Sequence, residues 1–182
     1  MLRKRRFAVE LVCGAVLGLA VVGAKAQTGV YGEFTGGKIS AANTAWMYGP
    51  TVGLYHDDGL GLVAVGLDVR GSFLRRGDVN GAGSNQSLNT LMGGARVAVT
   101  PHILPIKPYA EALGGYGGLT TGQGVARTSG RHFAYQFLGG VDLTFFPRLD
   151  WRVVEFSYGR LSGLGDSYAP KTLSTGLVLR LP

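Results

Sequence analysis

Beyond position 26 the sequence alternates, and this constrains the fold more than any other feature. Residues 135–146 read YQFLGGVDLTFF, with Tyr135, Phe137, Gly139, Val141, Leu143 and Phe145 on one parity and Gln136, Leu138, Gly140, Asp142 and Thr144 on the other. Successive side chains on a strand point to opposite faces, so a period of two predicts a strand with an aromatic–aliphatic face and a polar face. No segment beyond position 26 has the helical period, and none is apolar for the ~20 residues a membrane helix needs. A chain made of such strands can satisfy both faces in two ways. In water the apolar faces turn inward. In lipid they turn outward and the polar faces line a narrow interior.

Eight segments carry strand patterns, near 28–37, 46–56, 60–74, 87–100, 106–119, 132–146, 150–161 and 172–181. Their connections alternate in length. Asp57-Asp58-Gly59 has the chemistry of a tight hairpin turn, and 101–105 and 147–149 are also short. Between them lie longer polar stretches at 38–45, 75–86, 120–131 and 162–171. The order long, short, long, short, long, short, long puts both ends of the domain on the short-turn side. That predicts an all-β, eight-stranded antiparallel up-and-down transmembrane barrel over residues 27–182. Gly-rich stretches such as LGGYGG at 113–118 lack a following helix and a phosphate-binding lysine, so they do not signal nucleotide binding.

The beginning of the chain sets the compartment. Arg3, Lys4, Arg5 and Arg6 precede an apolar run of 12 residues from Leu11 to Val22, followed by Ala24-Lys25-Ala26. This is the three-part pattern of a secretory signal peptide over residues 1–26, with cleavage expected before Gln27. The run is too short for a spanning anchor. Cys13, the one cysteine, lies inside that run rather than after it, which disfavours a lipoprotein. The remaining domain would be cysteine-free and held by strand hydrogen bonds rather than disulfides. The whole chain carries a net charge of +7, but five bases and one acid fall in the leader, which leaves about +3. That is too mild to indicate nucleic acid.

Sorting each segment by parity gives the same answer. Val63, Val65, Leu67, Val69 and Phe73 share one face opposite Asp68, Arg70 and Ser72. Val154, Phe156 and Tyr158 oppose Glu155 and Ser157, and Leu173, Leu177, Leu179 and Leu181 oppose Ser174, Gly176 and Arg180. Each polar face holds one or two mid-strand charges: Glu33, Asp68, Arg70, Arg96, Glu111, Asp142, Glu155 and Arg180, drawn from every segment but the second. A water-facing surface carries more charge than this. The expected arrangement is a paired network plugging the lumen, since an unpaired buried charge is costly. The competing reading of the same charges is an ion path. Trp46, Tyr48, Tyr55, Tyr109, Tyr116, Phe145, Phe146, Trp151 and Tyr158 fall near segment ends, as interfacial girdle residues would.

The last segment carries the most specific pattern. In STGLVLRL, Ser174, Gly176, Leu179 and Leu181 occupy the polar, Gly, hydrophobic and hydrophobic positions of the terminal strand that barrel-assembly machinery reads. With the leader and the eight alternating segments, the chain resembles the small OmpA/OmpX/opacity-type outer-membrane beta-barrel families over essentially all of residues 28–182. Two departures stand out. Leu181 stands, with Pro182 after it, where the family usually has an aromatic, and the expectation is a barrel without the peptidoglycan-binding domain of the longer OmpA-type proteins. The resemblance implies a bacterial outer-membrane location after export, insertion by the assembly machinery, contact with outer-membrane lipid and lipopolysaccharide, no cofactor and a monomer.

Catalytic chemistry is sparse. The histidines are His56, His102 and His132, and the Ser129-Gly-Arg-His132 cluster does not match the His-x-Ser arrangement of outer-membrane deacylases. No His/Cys spacing suggests a metal. The long connections are basic, with Arg75, Arg76, Arg127, Arg131, Arg160 and Lys171 against Asp78 and Asp166. Arg75, Arg76, Arg127 and Arg131 are candidates for contact with lipopolysaccharide phosphates; the plainer reading is loop solvation. The expectation is therefore a non-enzymatic, porin-like barrel serving envelope structure or surface contact through four outer loops. The rival is a soluble periplasmic or secreted lipocalin-like barrel with a small apolar ligand inside.

Overall fold

The computed structural model describes residues 26–39, 46–60, 62–76, 86–101, 105–121, 128–162 and 169–182. The expected leader lies outside the described residues except for Ala26. Eight strands run in chain order: β1 Gln27–Ile39, β2 Trp46–Leu60, β3 Val63–Arg76, β4 Gln86–Val99, β5 Ile106–Thr121, β6 Thr128–Phe146, β7 Leu149–Leu161 and β8 Pro170–Arg180. Each pairs antiparallel with the next, and β1 pairs with β8 to close the barrel. Closure leaves no strand edge, so the ladder satisfies the backbone polar groups within the wall. At the seam the Leu181 amide donates to the Thr28 carbonyl at 2.8 Å.

All eight expected strands are present, and several are longer than the hydrophobic pattern suggested. β1 reaches Ile39, β3 reaches Arg76, β5 reaches Thr121, and β6 begins at Thr128. The pattern fades there because alternation of hydrophobicity marks the apolar wall, whereas the backbone ladder continues wherever two strands stay in register.

One turn stands elsewhere than expected. Asp57, Asp58 and Gly59 continue β2, paired to Gly66, Val65 and Ala64, and the chain reverses after Leu60, which pairs with Val63. The interior explains the difference: Asp57 points into the lumen, where it accepts from the Arg96 Nε at 3.1 Å. Its side chain thus holds the strand in register beyond the point where turn chemistry would end it. The β6–β7 turn is at Pro147 and Arg148, as expected, with Arg148 in the left-handed region at φ 75°. The Arg180 amide donates to the Arg148 carbonyl at 2.8 Å and ties that turn to β8.

The faces sort as the alternation predicts. Val30, Phe34, Leu54, Leu67, Val69, Leu91, Val97, Phe137, Phe156, Leu177 and Leu179 are exposed on the outside, while Glu33, Asp68, Arg70, Arg96, Glu111, Asp142 and Glu155 are buried inside. On β3 the outward row runs from Val63 to Phe73. Ten residue steps rise about 33 Å along the strand and about 25 Å along the axis of a barrel tilted by about 40°, the height of a bilayer's apolar band.

Candidate functional site

The barrel interior is layered. At the loop end Met47, Leu74, Leu88, Ala134 and Leu161 pack together as an apolar plug. Beneath it lies a hydroxyl layer. Thr35 bonds Thr51 at 2.8 Å and Ser174 at 2.9 Å, Thr51 donates to Ser72 at 2.9 Å, and Ser157 pairs with Thr172. A cavity of about 30 Å³ sits among these residues, room for one or two waters. It offers no space for an apolar ligand. At the short-turn end, Asp150 lies between Lys107 at 3.2 Å and Arg180 at 3.1 Å.

The middle layer is the candidate site, a closed ring of alternating charges. Arg70 donates from Nη2 to Glu111 at 2.8 Å and from Nη1 to Glu155 at 2.6 Å. Arg96 donates from Nη1 to the other oxygen of Glu111 and from Nη2 to Asp142 at 3.5 Å. Arg152 donates from Nε and Nη2 to the two oxygens of Asp142, at 2.8 and 3.2 Å, and from Nη1 to Glu155 at 3.3 Å. Each acid of the ring therefore bridges two arginines. Each arginine also has an acid outside the ring: Asp68 for Arg70 at 3.2 Å, Asp57 for Arg96 at 3.1 Å, and Glu33 for Arg152. The planar guanidinium, with five N–H donors in a fork, allows one side chain to hold three carboxylates.

Three tyrosines stack into this ring. Arg96 lies between Tyr55 and Tyr109, with centroids 4.2 and 4.0 Å away, and Arg152 lies between Tyr109 and Tyr31 at 4.5 and 4.4 Å. Arg70 covers Tyr31 less closely, at 5.4 Å. The phenols reach acids as well: Tyr31 donates to Asp68 at 2.8 Å and Tyr109 to Glu155 at 2.7 Å. Room for the rings comes from the facing strand. Tyr31, Tyr55 and Tyr109 stand opposite Gly53, Gly29 and Gly140, and a Cβ at any of these glycines would run into the facing ring. A desolvated guanidinium over an aromatic face contributes up to about 2 kcal/mol, so the stack adds attraction where the charges have lost water.

The structure brings together seven of the eight lumen charges expected from sequence: Glu33, Asp68, Arg70, Arg96, Glu111, Asp142 and Glu155. Arg180 also points inward but joins Asp150 at the short-turn end rather than the ring. The second strand, expected to contribute no charge, supplies Asp57. Tyr55 and Tyr109, expected in the girdle, are buried ring partners; they share inward parity with Asp57 and Glu111. The other girdle residues, Trp46, Tyr48, Tyr116, Phe145, Phe146, Trp151 and Tyr158, are exposed on the outside.

The principal residue that sequence reasoning missed is Arg152, with Asp150 beside it. By parity they go with Val154 and Phe156, yet both are fully buried in the lumen. A bulge in β7 accounts for this. Asp142 pairs with Arg152 and Val141 with Val154, leaving Val153 as the extra residue. The Thr175 hydroxyl donates to the Arg152 carbonyl at 2.9 Å and accepts from the Trp151 indole at 3.2 Å. A signal existed: an arginine among apolar residues on a lipid-facing parity costs about 2–4 kcal/mol near mid-bilayer, so its presence argues for a change of face.

Ser174 is buried in the hydroxyl layer, and a Cβ at Gly176 would strike the Gly32 carbonyl and Glu33. Leu179 and Leu181 face outward. Arg75 is exposed at the loop end of β3, with Arg76 partly buried beside it. Arg127 and His102 lie outside the described residues, and for Ser129 and Arg131 only the backbone in β6 is described. His132 is partly buried near the loop end of β6. His56 is partly exposed near the short turns, with Nδ1 2.8 Å from the Thr28 hydroxyl. Among the described residues no group of His, Cys, Asp or Glu could hold a metal ion.

No family model matches the chain, and no curated protein matches it in sequence. Its structure is similar to that of Neisserial surface protein A, with a TM-score of 0.69 at 14% identity over 85% of this chain and 97% of the other. It is similar to Ail, the attachment invasion locus protein of Yersinia pestis, with a TM-score of 0.60 at 12% identity over 86% and 97%. The N-terminal beta-barrel domain of Pseudomonas aeruginosa OprF gives a TM-score of 0.51 at 16% identity over 86% and 100%. At these identities the likeness is one of fold.

Proposed function

We propose that this chain, which has the fold of the small eight-stranded outer-membrane barrels, is a non-enzymatic protein of a bacterial outer membrane, exported by its leader. In this reading it acts in envelope structure or in surface contact through its four loop-end connections. The observation that carries the proposal is the pairing of an exposed apolar wall, about 25 Å tall, with a lumen closed by charges and an apolar plug. The wall needs acyl chains as its solvent. The lumen shares three arginines among six carboxylates, which supports a plug rather than a channel.

The remaining roles follow from position. Ser174, Gly176, Leu179 and Leu181 form the terminal-strand signal for the assembly machinery. Arg75 and Arg76, with Arg127 and Arg131, give the loop end a basic rim toward lipopolysaccharide. The barrel acts as a monomer, because closure leaves no strand edge to pair with a second copy. Fractionation combined with gel mobility before and after heating tests the location. The expected result is a membrane-bound, detergent-requiring protein with heat-modifiable mobility, and a protein soluble without detergent would overturn it. Planar-bilayer recording tests the plug: purified protein should show no large, stable conductance.

A further inference from the structure

Two lysines stand where the strand ladder should disfavour them. Lys38 on β1 is directly opposite Lys171 on β8, and both point outward, exposed, at the loop end. Like charges directly opposite on one face of a sheet repel. Among the described residues no carboxylate relieves them, because the one outward acid is Asp58, at the short-turn end of β2. Nor does any described acid pair with Arg75, exposed at the same level on β3.

The setting is specific. Lys171 lies opposite Tyr158, with Nζ 6.0 Å from the ring centroid. Lys38 lies opposite Trp46, and Arg75 opposite Tyr48. Trp46 stacks on Tyr48 at 6.1 Å, and Tyr48 stacks on Phe34 at 6.2 Å. One outward step toward the membrane, Leu173 lies under Lys171 and Phe73 under Arg75, both exposed. The cations therefore cap the apolar wall at the level where aromatic belts meet head groups. Toward the loop end of the next two strands the outward parity carries no cation: β4 presents Ser87 and Asn89, and β5 presents Gly118 and Thr120.

We propose that Lys38, Lys171 and Arg75 form a binding site on the outer wall for the phosphate groups of an outer-leaflet glycolipid. The phosphorylated sugar head group would sit across β8, β1, β2 and β3 on the Tyr158, Trp46 and Tyr48 platform. Phosphate between the lysines turns their repulsion into two charge-assisted contacts. Arg75 stands two strands from Lys38 and two residues along, about 12 Å away, so the site suits a head group with more than one phosphate. This rests on the outer-membrane reading and goes beyond it by giving the lipid a defined position on the wall.

The test uses the full-length barrel folded in neutral detergent, with folding verified by heat-modifiable mobility. Bisphosphorylated lipid A and its dephosphorylated counterpart are the probes, and native mass spectrometry reads the bound lipid. The wild type should retain the phosphorylated form selectively, and millimolar inorganic phosphate should not displace it. Lys38→Gln with Lys171→Gln should weaken retention by about tenfold or more, whereas Lys38→Arg with Lys171→Arg should keep it. Equal binding of both lipids, unchanged binding in the glutamine pair, or displacement by free phosphate would each overturn the site. If the wild type fractionates as a soluble protein, the outer-membrane reading falls and the site with it. A membrane-inserted barrel with unaltered binding in the glutamine pair overturns the site alone.

Discussion

The lumen and the outer wall are built from the same eight strands, on alternate residues, yet different forces hold them. The wall exposes Leu, Val, Phe, Trp and Tyr and takes its stability from the solvent around it. The lumen buries Arg70, Arg96 and Arg152 among six carboxylates and takes its stability from pairing. A wall residue can therefore change at small cost if it stays apolar. A lumen residue cannot change alone, because each ring acid serves two arginines. Period-two alternation creates both environments, and a shift of one residue would exchange them.

The sharpest way to break this comparison is to remove one ring arginine. Arg152→Met keeps the length of the side chain but leaves Asp142, Glu33 and Glu155 without their shared donor. Breaking a buried pair by removing one partner costs about 3–5 kcal/mol, so the barrel should refold poorly or lose most of its urea resistance in lipid. Adding Asp142→Asn and Glu33→Gln should recover part of the loss. If Arg152→Met costs less than about 1 kcal/mol, near the median for surface ion pairs, the lumen is solvated rather than closed.

A charge on the wall comes next. Leu177 is exposed near the middle of the outward row of β8. Leu177→Arg should cost about 2–4 kcal/mol in a bilayer, measured by urea unfolding of the refolded barrel. At a water-exposed position the same change would stay within about 0.5 kcal/mol. The size of this one effect separates lipid from water as the solvent of the wall.

How much of this was legible in the sequence follows from the same contrast. Strand number, order and facing could be read because the outer wall and the lumen select opposite residues, and alternation records that selection directly. Three features could not be read so simply. The β7 bulge shifts parity between Arg152 and Glu155 without marking itself by a glycine or proline. Asp57 has the residue type of a turn and the position of a lumen acid, and only its contact with Arg96, 39 residues away, decides between them. Tyr55 and Tyr109 have the residue type of a girdle, but they lie opposite Gly29 and Gly140, and that pairing exists only once strand register is known. The missing information is in each case long-range register, which local pattern does not contain.

Within the lumen, a smaller change distinguishes the stack from the ring. Tyr109→Phe keeps the ring between Arg96 and Arg152 but removes the hydroxyl that donates to Glu155 at 2.7 Å. Glu155 retains Arg70 and Arg152, so the expected loss is that of one charged hydrogen bond, about 1.5–3 kcal/mol. Tyr109→Leu should cost more, because it also removes the aromatic faces on both guanidiniums. Equal losses in the two variants would assign the role of Tyr109 to its hydroxyl alone.

The smallest effect should come from Asp58, the one outward acid among the described residues. Asp58 lies 3.9 Å from His56, and both side chains are more than a third exposed, at 41% and 36%. An ion pair this long and this wet contributes at most about 1 kcal/mol and is screened by salt. Asp58→Asn should therefore leave the urea midpoint within about 0.5 kcal/mol of wild type. Asp57, its neighbour in sequence, should behave oppositely: Asp57→Asn weakens the buried contact to Arg96 at 3.1 Å. The two substitutions differ by one position and by nothing in chemistry. If both are neutral, Asp57 belongs to a solvated turn after all, and Arg96 is held by the ring acids alone.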